Sequence, residues 1–490
     1  MQTVAKLREF FGRARTADTA DPADQPNILV ISDLHLGEDI KPFSGVGYLR
    51  HIARLEKELE NFIDHYTRTR HDGRPWRLII NGDMVDFMSI CLMPTEEDGV
   101  SEEERRFGLG SGPTQTKIKL EKVVQRHPGV FRKLARFVAA GNELVIVSGN
   151  HDVEFHWTAV QEAFKDVLHR LACEALGIEP DGETRAAFIG GISFHPWFYY
   201  EKGTVYVEHG HQYDETCSFD YILNPEAPRA QDGILLSIGS SAMRYLCNLI
   251  PDMNPHGHEG WTLVGYVRWA IGLGLRGMAR VLYCYCFMIW RILSVWRELR
   301  EKALDLKRRA PHEERLKQLA ARYELDEKLL RELEALKKPM MMRDIAGIAQ
   351  TFFLDRAAVM IAGILGSVAA LVWAPGWWKL VVPAIVAGLW FFDGLLARRR
   401  DIDPAKKLAR VPSAIARLVR APFVVFGHSH EPVAQPLDEG AWYFNTGTWV
   451  PAERPGLLRA FTHLLIRRGE NGPHAQLCQW RNGGSAAYQG

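Results

Sequence analysis

The stretch "VVFGHSHEPV", residues 424–433, decides how the chain is read. An apolar, β-branched run ends in a glycine and then in two histidines separated by one residue. Short runs of this kind, bounded by Gly, Asn and Asp, read as buried strands. Histidines at alternate positions after a strand project to one side, and glycine lets another backbone come close. A pair of metal ligands needs that arrangement. Taken alone, however, the ten residues also fit a solvated loop with two incidental histidines.

The rest of the chain changes the weighting, because the pattern recurs four more times upstream. Residues 28–31, "ILVI", run into "SDLHLG", with Asp33 and His35. Residues 78–80 run into "NGDMVD", with Asp83 and Asp86. Residues 144–147 run into "SGNHD", with Asn150, His151 and Asp152, and residues 204–207 into "EHGHQYD", with His209 and His211. Ligands at the C-terminal ends of strands converge along one sheet edge, so the five strand ends are expected to share one site. Mixed carboxylate, imidazole and amide-oxygen donors suit divalent Mn, Fe or Zn rather than a thiolate site.

The ordered set DLH, GDMVD, GNHD, a lone HG and GHSH resembles the calcineurin-like metallophosphoesterase superfamily, over roughly residues 26–215 and 420–450. The resemblance implies an α/β fold, a four-layer αββα sandwich with two mixed sheets between helices. It also implies two divalent metal ions, Mn²⁺ first and Fe or Zn as alternatives. Asp33, His35, Asp83 and His430 would hold one ion, and Asp83, Asn150, His209 and His428 the other, with Asp83 as the bridge. Two ions about 3.5–4 Å apart would lower the pKa of a shared water, hold the phosphoryl oxygens and stabilise in-line attack of metal-bound hydroxide at phosphorus. His151 would be the leaving-group acid, oriented by Asp152; the other reading is a histidine that holds a phosphate oxygen by charge. Asp86 reads either as an orienting carboxylate or as a cap for the following segment. "NTGTW", residues 445–449, resembles the strand and turn that buttress the last histidine loop. His211, His256 and His258 read as polar loop residues rather than ligands.

Composition bounds the remainder. With 490 residues, 47% hydrophobic content and a formal charge of +1, the chain has room for a large catalytic core and a second region. The neutral balance gives no general nucleic-acid footprint. Seven cysteines are scattered without CxxC spacing, which fits reduced thiols and a catalytic domain in the cytoplasm. Residues 1–25 read as a short amphipathic helix and a polar tether, without the apolar core of a secretory signal.

The gap between His209 and His428 is expected to hold a helical, membrane-associated insert, residues 261–402, between catalytic parts at 26–260 and 403–490. In 261–297, Arg268, Arg276, Arg280, Arg291 and Arg297 fall within an arc of about 140° on a helix. Such a helix either lies in a membrane interface or packs on the catalytic domain, and Gly272, Gly274 and Gly277 would split it. Residues 298–338 read as two soluble antiparallel helices interrupted at Pro311. Residues 357–397 read as a transmembrane hairpin turning at Pro375 and Gly376, with Trp373, Trp377 and Trp378 at the far interface; a buried soluble hairpin and a re-entrant one are the alternatives. Arg356 and Arg398 to Arg400 flank the near side, which places both ends in the cytoplasm. The functional expectation is a phosphoesterase at the cell inner membrane or another cytoplasm-facing membrane, acting on a phosphoester that membrane anchoring suggests is lipid-linked. The UDP-2,3-diacylglucosamine hydrolase family shares the five blocks, yet often has arginine where His151 stands. A pyrophosphate hydrolase of that type is one alternative, and a non-catalytic membrane scaffold is another.

Overall fold

The computed structural model of the chain describes residues 25–42, 44–95, 100–229, 233–250, 263–373, 375–377, 381–397, 404–450, 460–470 and 472–489. Most of the expected N-terminal tether, His256, His258, Trp378 and Arg398 to Arg400 lie outside the described residues.

The strands, in chain order, are β1 (Asn27–Ile31), β2 (Trp76–Asn81), β3 (Glu143–Val147), β4 (Ile192–His195), β5 (Phe198–Glu201) and β6 (Val205–Glu208). They continue with β7 (Phe423–Phe426), β8 (Pro432–Pro436), β9 (Trp442–Thr446), β10 (Thr462–Gly469), β11 (Gly472–Arg481) and β12 (Gly484–Ala487). One sheet has the order β12-β11-β10-β1-β2-β3-β4, the other β5-β6-β7-β9-β8. β1 to β4 are parallel neighbours, as are β6, β7 and β9, and the remaining pairings are antiparallel.

Side-chain alternation explains why these runs are apolar throughout. Leu29 and Ile31 face a helical layer formed by Val46–Arg68, Pro128–Ala139 and Thr158–Leu176, while Ile28 and Val30 face the second sheet and meet Val205, Val207 and Val425. Strands covered on both faces lose the polar half of the usual alternation. On the second sheet Tyr206, Val424 and Phe426 point outward, against Leu316 and Leu319 of helix Lys302–Tyr323 and Leu330 and Leu333 of helix Glu327–Glu334. Ile415 and Val419 of helix Pro412–Val419 complete that face. The result is a four-layer αββα sandwich.

That outer layer changes the picture of the insert. Helices Lys302–Tyr323 and Glu327–Glu334 lie within the stretch expected to be separable, yet their leucines close the core of the second sheet. Each such burial stabilises by about 1.5–3 kcal/mol, so the stretch is not one removable body. Pro311 also fails to interrupt its helix. A proline costs one helical hydrogen bond, but here the neighbouring turns are anchored: Arg308 donates to the Glu226 carbonyl at 3.0 Å and His312 contacts Glu334 at 2.9 Å. The actual break falls at Glu324, in the left-handed region at φ 51°.

The membrane-like part is narrower. Helix Leu263–Gly272 is followed by helix Gly274–Leu299, so the break falls among the expected glycines. The C-terminal half of the longer helix docks on the body through Met288, Ile292 and Leu299, which meet Ile238, Tyr245 and Met342. Its N-terminal half stands out in solvent, with Leu275 82% and Leu282 63% exposed. Helices Leu354–Trp373 and Val381–Ala397 form the hairpin, packed where Gly363 lies so close to Leu389 that an added Cβ would come within 2.3 Å. Elsewhere the first limb exposes Ile361, Ile364, Leu365, Val372 and Trp373, each by more than half. Helices Gly274–Leu299 and Leu354–Trp373 are long and apolar enough to cross a membrane.

Candidate metal centre

The C-terminal ends of β1, β2 and β3 meet those of β6 and β7, and every sequence-expected ligand lies in one of those loops. The loops interlock through their backbones. The Leu34 and His35 N–H groups donate to the Asp83 carbonyl at 3.0 and 2.9 Å, Gly427 N–H to the His209 carbonyl at 3.0 Å, and His428 N–H to Asp33 Oδ2 at 3.2 Å. Gly82 and Gly149 allow this: a Cβ on Gly82 would fall 2.3 Å from His209 Nδ1, and one on Gly149 would fall 2.1 Å from Asp83 Oδ1. Asp33, His35, Asp83, His428 and His430 all have positive φ, between 45° and 67°. Non-glycine residues held there cost on the order of 1–3 kcal/mol each, and persist only where surrounding bonds over-determine them.

Four clusters of donor atoms result among the described residues: His35 with Asp83 and His151, Asp214 with Cys217 and His428, and two built wholly from expected ligands. Asp33, His35 and His430 form one, with His430 Nε2 3.1 Å from Asp33 Oδ1 and 3.3 Å from His35 Nε2. Asp33, Asp83 and His209 form the other, with His209 Nε2 3.2 Å from Asp83 Oδ2. Asp83 Oδ2 also lies 3.8 Å from His35 Nε2, so a single oxygen faces both clusters. Asp33 Oδ1, Asn150 Oδ1 and His209 Nε2 are buried with no hydrogen-bond partner. Orphaned buried polar atoms of this kind are costly, and convergent donors with free lone pairs are what a cation satisfies. The residues therefore fit a pair of divalent ions. The outer ring nitrogens are occupied as ligating histidines require: His209 Nδ1–H donates to the Asn81 carbonyl at 2.8 Å, and His35 Nδ1 is 3.3 Å from Asp86 Oδ2. Burial opposes the charge on Asp83, yet the imidazoles of His209, His151 and His35 hold its carboxyl well below the usual carboxylate range.

His151 has a different partner from the one expected. Asp152 sends its oxygens to backbone N–H groups, Gly149 at 2.6 Å and Met84 at 2.8 Å, because it lies between the two loops it ties together. The His151 ring is held by Asp86, with Nδ1 2.8 Å from Oδ1. Asp86 thus orients both His35 and His151, and it also accepts from Ser89 N–H at 2.8 Å, so orienting and capping are the same carboxylate. Burial disfavours a charged His151, but Asp86 and Asp83 outweigh it and raise the imidazole to about 10.

His211 is not a loop-surface residue. It is buried, its ring centroid lies 5.6 Å from that of His209, and neither ring nitrogen has a hydrogen-bond partner. The buttressing role expected of residues 445–449 is visible in Asn445 Nδ2, which donates to the Gly427 carbonyl at 2.7 Å, and in Trp449 N–H, which donates to the Asp33 carbonyl at 3.2 Å. Sequence reasoning passed over Asp214, whose Oδ2 is 3.4 Å from His428 Nε2, and Lys407, which is 3.1 Å from Asp214 Oδ1. A cleft beside His35 is lined by Leu36, Ile52, Leu55, Leu59 and Trp449, with Glu56 and His127 as its other polar members.

Residues 26–242 match the calcineurin-like phosphoesterase family. No curated protein matches the chain. The matched range carries six of the eight sequence-expected metal and acid positions, including Asn150, His151 and His209, and ends before His428 and His430. The fold supplies the remainder, since β7 lies directly beside β6. Residues 26–242 are a calcineurin-like phosphoesterase domain, which makes the chain a metal-dependent phosphoric ester hydrolase.

Proposed function

We propose that the chain is a membrane-associated phosphoesterase in which Asp33, His35, Asp83 and His430 hold one divalent ion and Asp83, Asn150, His209 and His428 hold the second. The observation that carries this reading is the position of Asp83 Oδ2, 3.2 Å from His209 Nε2 and 3.8 Å from His35 Nε2. Four imidazoles beside two carboxylates and an amide oxygen suit Mn²⁺, Fe or Zn, and Mn²⁺ is the ion proposed first. Bound ions supply charge for the phosphoryl oxygens and acidify the attacking water.

The chain's own residues do the rest. His151 and His430 have the more exposed side chains in the set, 13% and 25%, so substrate enters on their side. With its Nδ1 held by Asp86, the His151 ring is oriented to act as the acid that protonates the departing oxygen. Asp152 contributes by fixing the Gly149 and Met84 amides, which keeps Asn150 and Asp83 in register.

The exposed apolar limbs of 354–397, together with the N-terminal half of helix Gly274–Leu299, support anchoring in a bilayer. The catalytic domain then consists of 26–260 and 403–490 completed by the helices within 302–334, and it faces the cytoplasm because the basic flanks do. Such anchoring suits an amphiphilic phosphoester whose hydrocarbon part stays at the membrane. The test uses the full chain. Membranes containing it are washed in high salt and then assayed with Mn²⁺ on a soluble aryl phosphate and on a vesicle-borne phospholipid. Retention and Mn²⁺-dependent turnover of both are expected. Release by salt alone would sink the spanning hairpin, and turnover of the aryl phosphate alone would sink the lipid substrate.

A further inference from the structure

His35, His209 and His428 each have an outer partner, and the one for His428 was built from far away in sequence. Lys407 lies in the short helix Pro404–Leu408, which follows the hairpin after six residues. Its ammonium donates to Asp214 Oδ1 at 3.1 Å and lies 3.0 Å from Glu215 Oε1. Thr216 adds its N–H at 3.1 Å and its hydroxyl at 2.9 Å to the same Asp214 oxygen. With Oδ1 so engaged, Oδ2 is directed at His428 Nε2, 3.4 Å away. The side chains of Lys407 and Asp214 are 8% and 6% exposed. A buried ion pair is poor evidence for stability in itself, because desolvation offsets most of the attraction. Its placement here suggests another use.

We infer that Lys407 and Asp214 are positioning residues for His428: Lys407 fixes the Asp214 carboxylate, the carboxylate accepts the Nε2 proton of His428, and the ring is left with Nδ1 as its metal-binding atom. The inference rests on the ligand set proposed above. The arrangement parallels His209, whose Nδ1–H is taken by the Asn81 carbonyl and whose Nε2 is free toward Asp83. The same loop is also held from the other side of the hairpin. Lys338 N–H donates to the Gln212 carbonyl at 2.8 Å and Met341 N–H to the Glu215 carbonyl at 2.9 Å. Leu408, next to Lys407, is fully buried and covers Gly210, between His209 and His211. Both roots of the hairpin therefore grip the segment that carries Asp214. Asp214, Cys217 and His428 could themselves be taken for an ion site. The Lys407 ammonium on Asp214 opposes a cation there, which is why the relay is the better reading.

The full chain in detergent, stripped with chelator, is titrated with Mn²⁺ while free Mn²⁺ is followed by electron paramagnetic resonance. The wild type is expected to take up two ions. Asp214→Asn keeps one and weakens the other by roughly 10–100-fold, the usual effect of losing the group that orients a ligand. Lys407→Met acts in the same direction and less, while Lys407→Arg, which retains the cation, restores uptake. Wild-type affinity at both sites in Asp214→Asn overturns the inference. So does equal weakening at both sites in the two variants, the mark of a loosened fold, and so does a third ion in Lys407→Met, which would make Asp214, Cys217 and His428 a site of their own. Fewer than two ions in the wild type would instead break the ligand set, and that failure appears before any variant is tested.

Discussion

The ligand loops and the hairpin invert the usual partition of residues in opposite senses. At the sheet edge, Asp33, Asp83, His209 and His211 are polar and essentially inaccessible, while on the hairpin Leu365 and Val372 are apolar and each 63% exposed. Ordinary folding in water explains neither, since buried polar groups are satisfied and large apolar patches are covered. Each inversion points to a partner outside the polypeptide: divalent cations in the first case and, on the proposed reading, lipid in the second. Helix Lys302–Tyr323 separates the two. It belongs to the same inserted stretch as the hairpin, yet its leucines are buried in the ordinary way, so apolar content in this part of the chain does not by itself mark membrane.

The contrast is most exposed to attack at Asp83. Asp83→Asn keeps an oxygen able to accept the His151 N–H, which the wild type receives at 2.9 Å, but removes the charge facing both clusters. Loss of both ions and of nearly all turnover is expected; metal analysis finding two tightly bound ions would refute the bridge. His151→Gln is next. It should keep metal content and lower turnover by roughly 10²–10⁴-fold on alkyl phosphates, and less on nitrophenyl phosphate, whose leaving group needs no acid. An equal loss on both substrates would reassign His151 to holding charge.

A paired substitution then separates the buried helix from the hairpin. Leu316→Ala removes a fully buried side chain and should cost about 2–5 kcal/mol in denaturant unfolding of the detergent-solubilised chain. Leu365→Ala, at a position 63% exposed, should change it by less than about 0.5 kcal/mol. Similar costs would mean the hairpin packs as the core does. The smallest effect concerns pH. His463, on β10, is buried, and burial holds its imidazole down to about 3. The folded state keeps it neutral while the unfolded chain takes up a proton below about pH 6.5, so stability is full above that value and falls as pH drops toward 3. His463→Gln should remove about 1 kcal/mol of the stability lost between pH 6 and pH 5. An unchanged pH slope would show that the imidazole is not what acid attacks there.

Much of the fold was legible because ligand chemistry is local. Asp33, His35, Asp83, Asn150, His209, His428 and His430 each follow an apolar run within a few residues, and the runs proved to be the strands. What escaped was decided by tertiary distance. Asp152 looked like the orienter of His151 because it is the next residue, whereas the ring bonds Asp86, 65 positions away. Asp214 and Lys407 are 193 positions apart and carry no mutual signal. The leucine spacing of 302–334 indicated an amphipathic helix but not which surface it would cover, so its place on the second sheet could not be read.

The order of the strands has a consequence for how the enzyme comes into being. β1 at the start of the chain pairs with β10 near its end, Ile28 with Ile466, and the hairpin is synthesised between them. At about 5–20 residues per second, roughly 440 residues take on the order of 20–90 seconds to emerge. During that interval Asp33 and Asp83 exist without His428 and His430, and the hairpin is synthesised before either histidine. On the proposed reading, the hairpin is thus available to the bilayer before the metal centre can be complete.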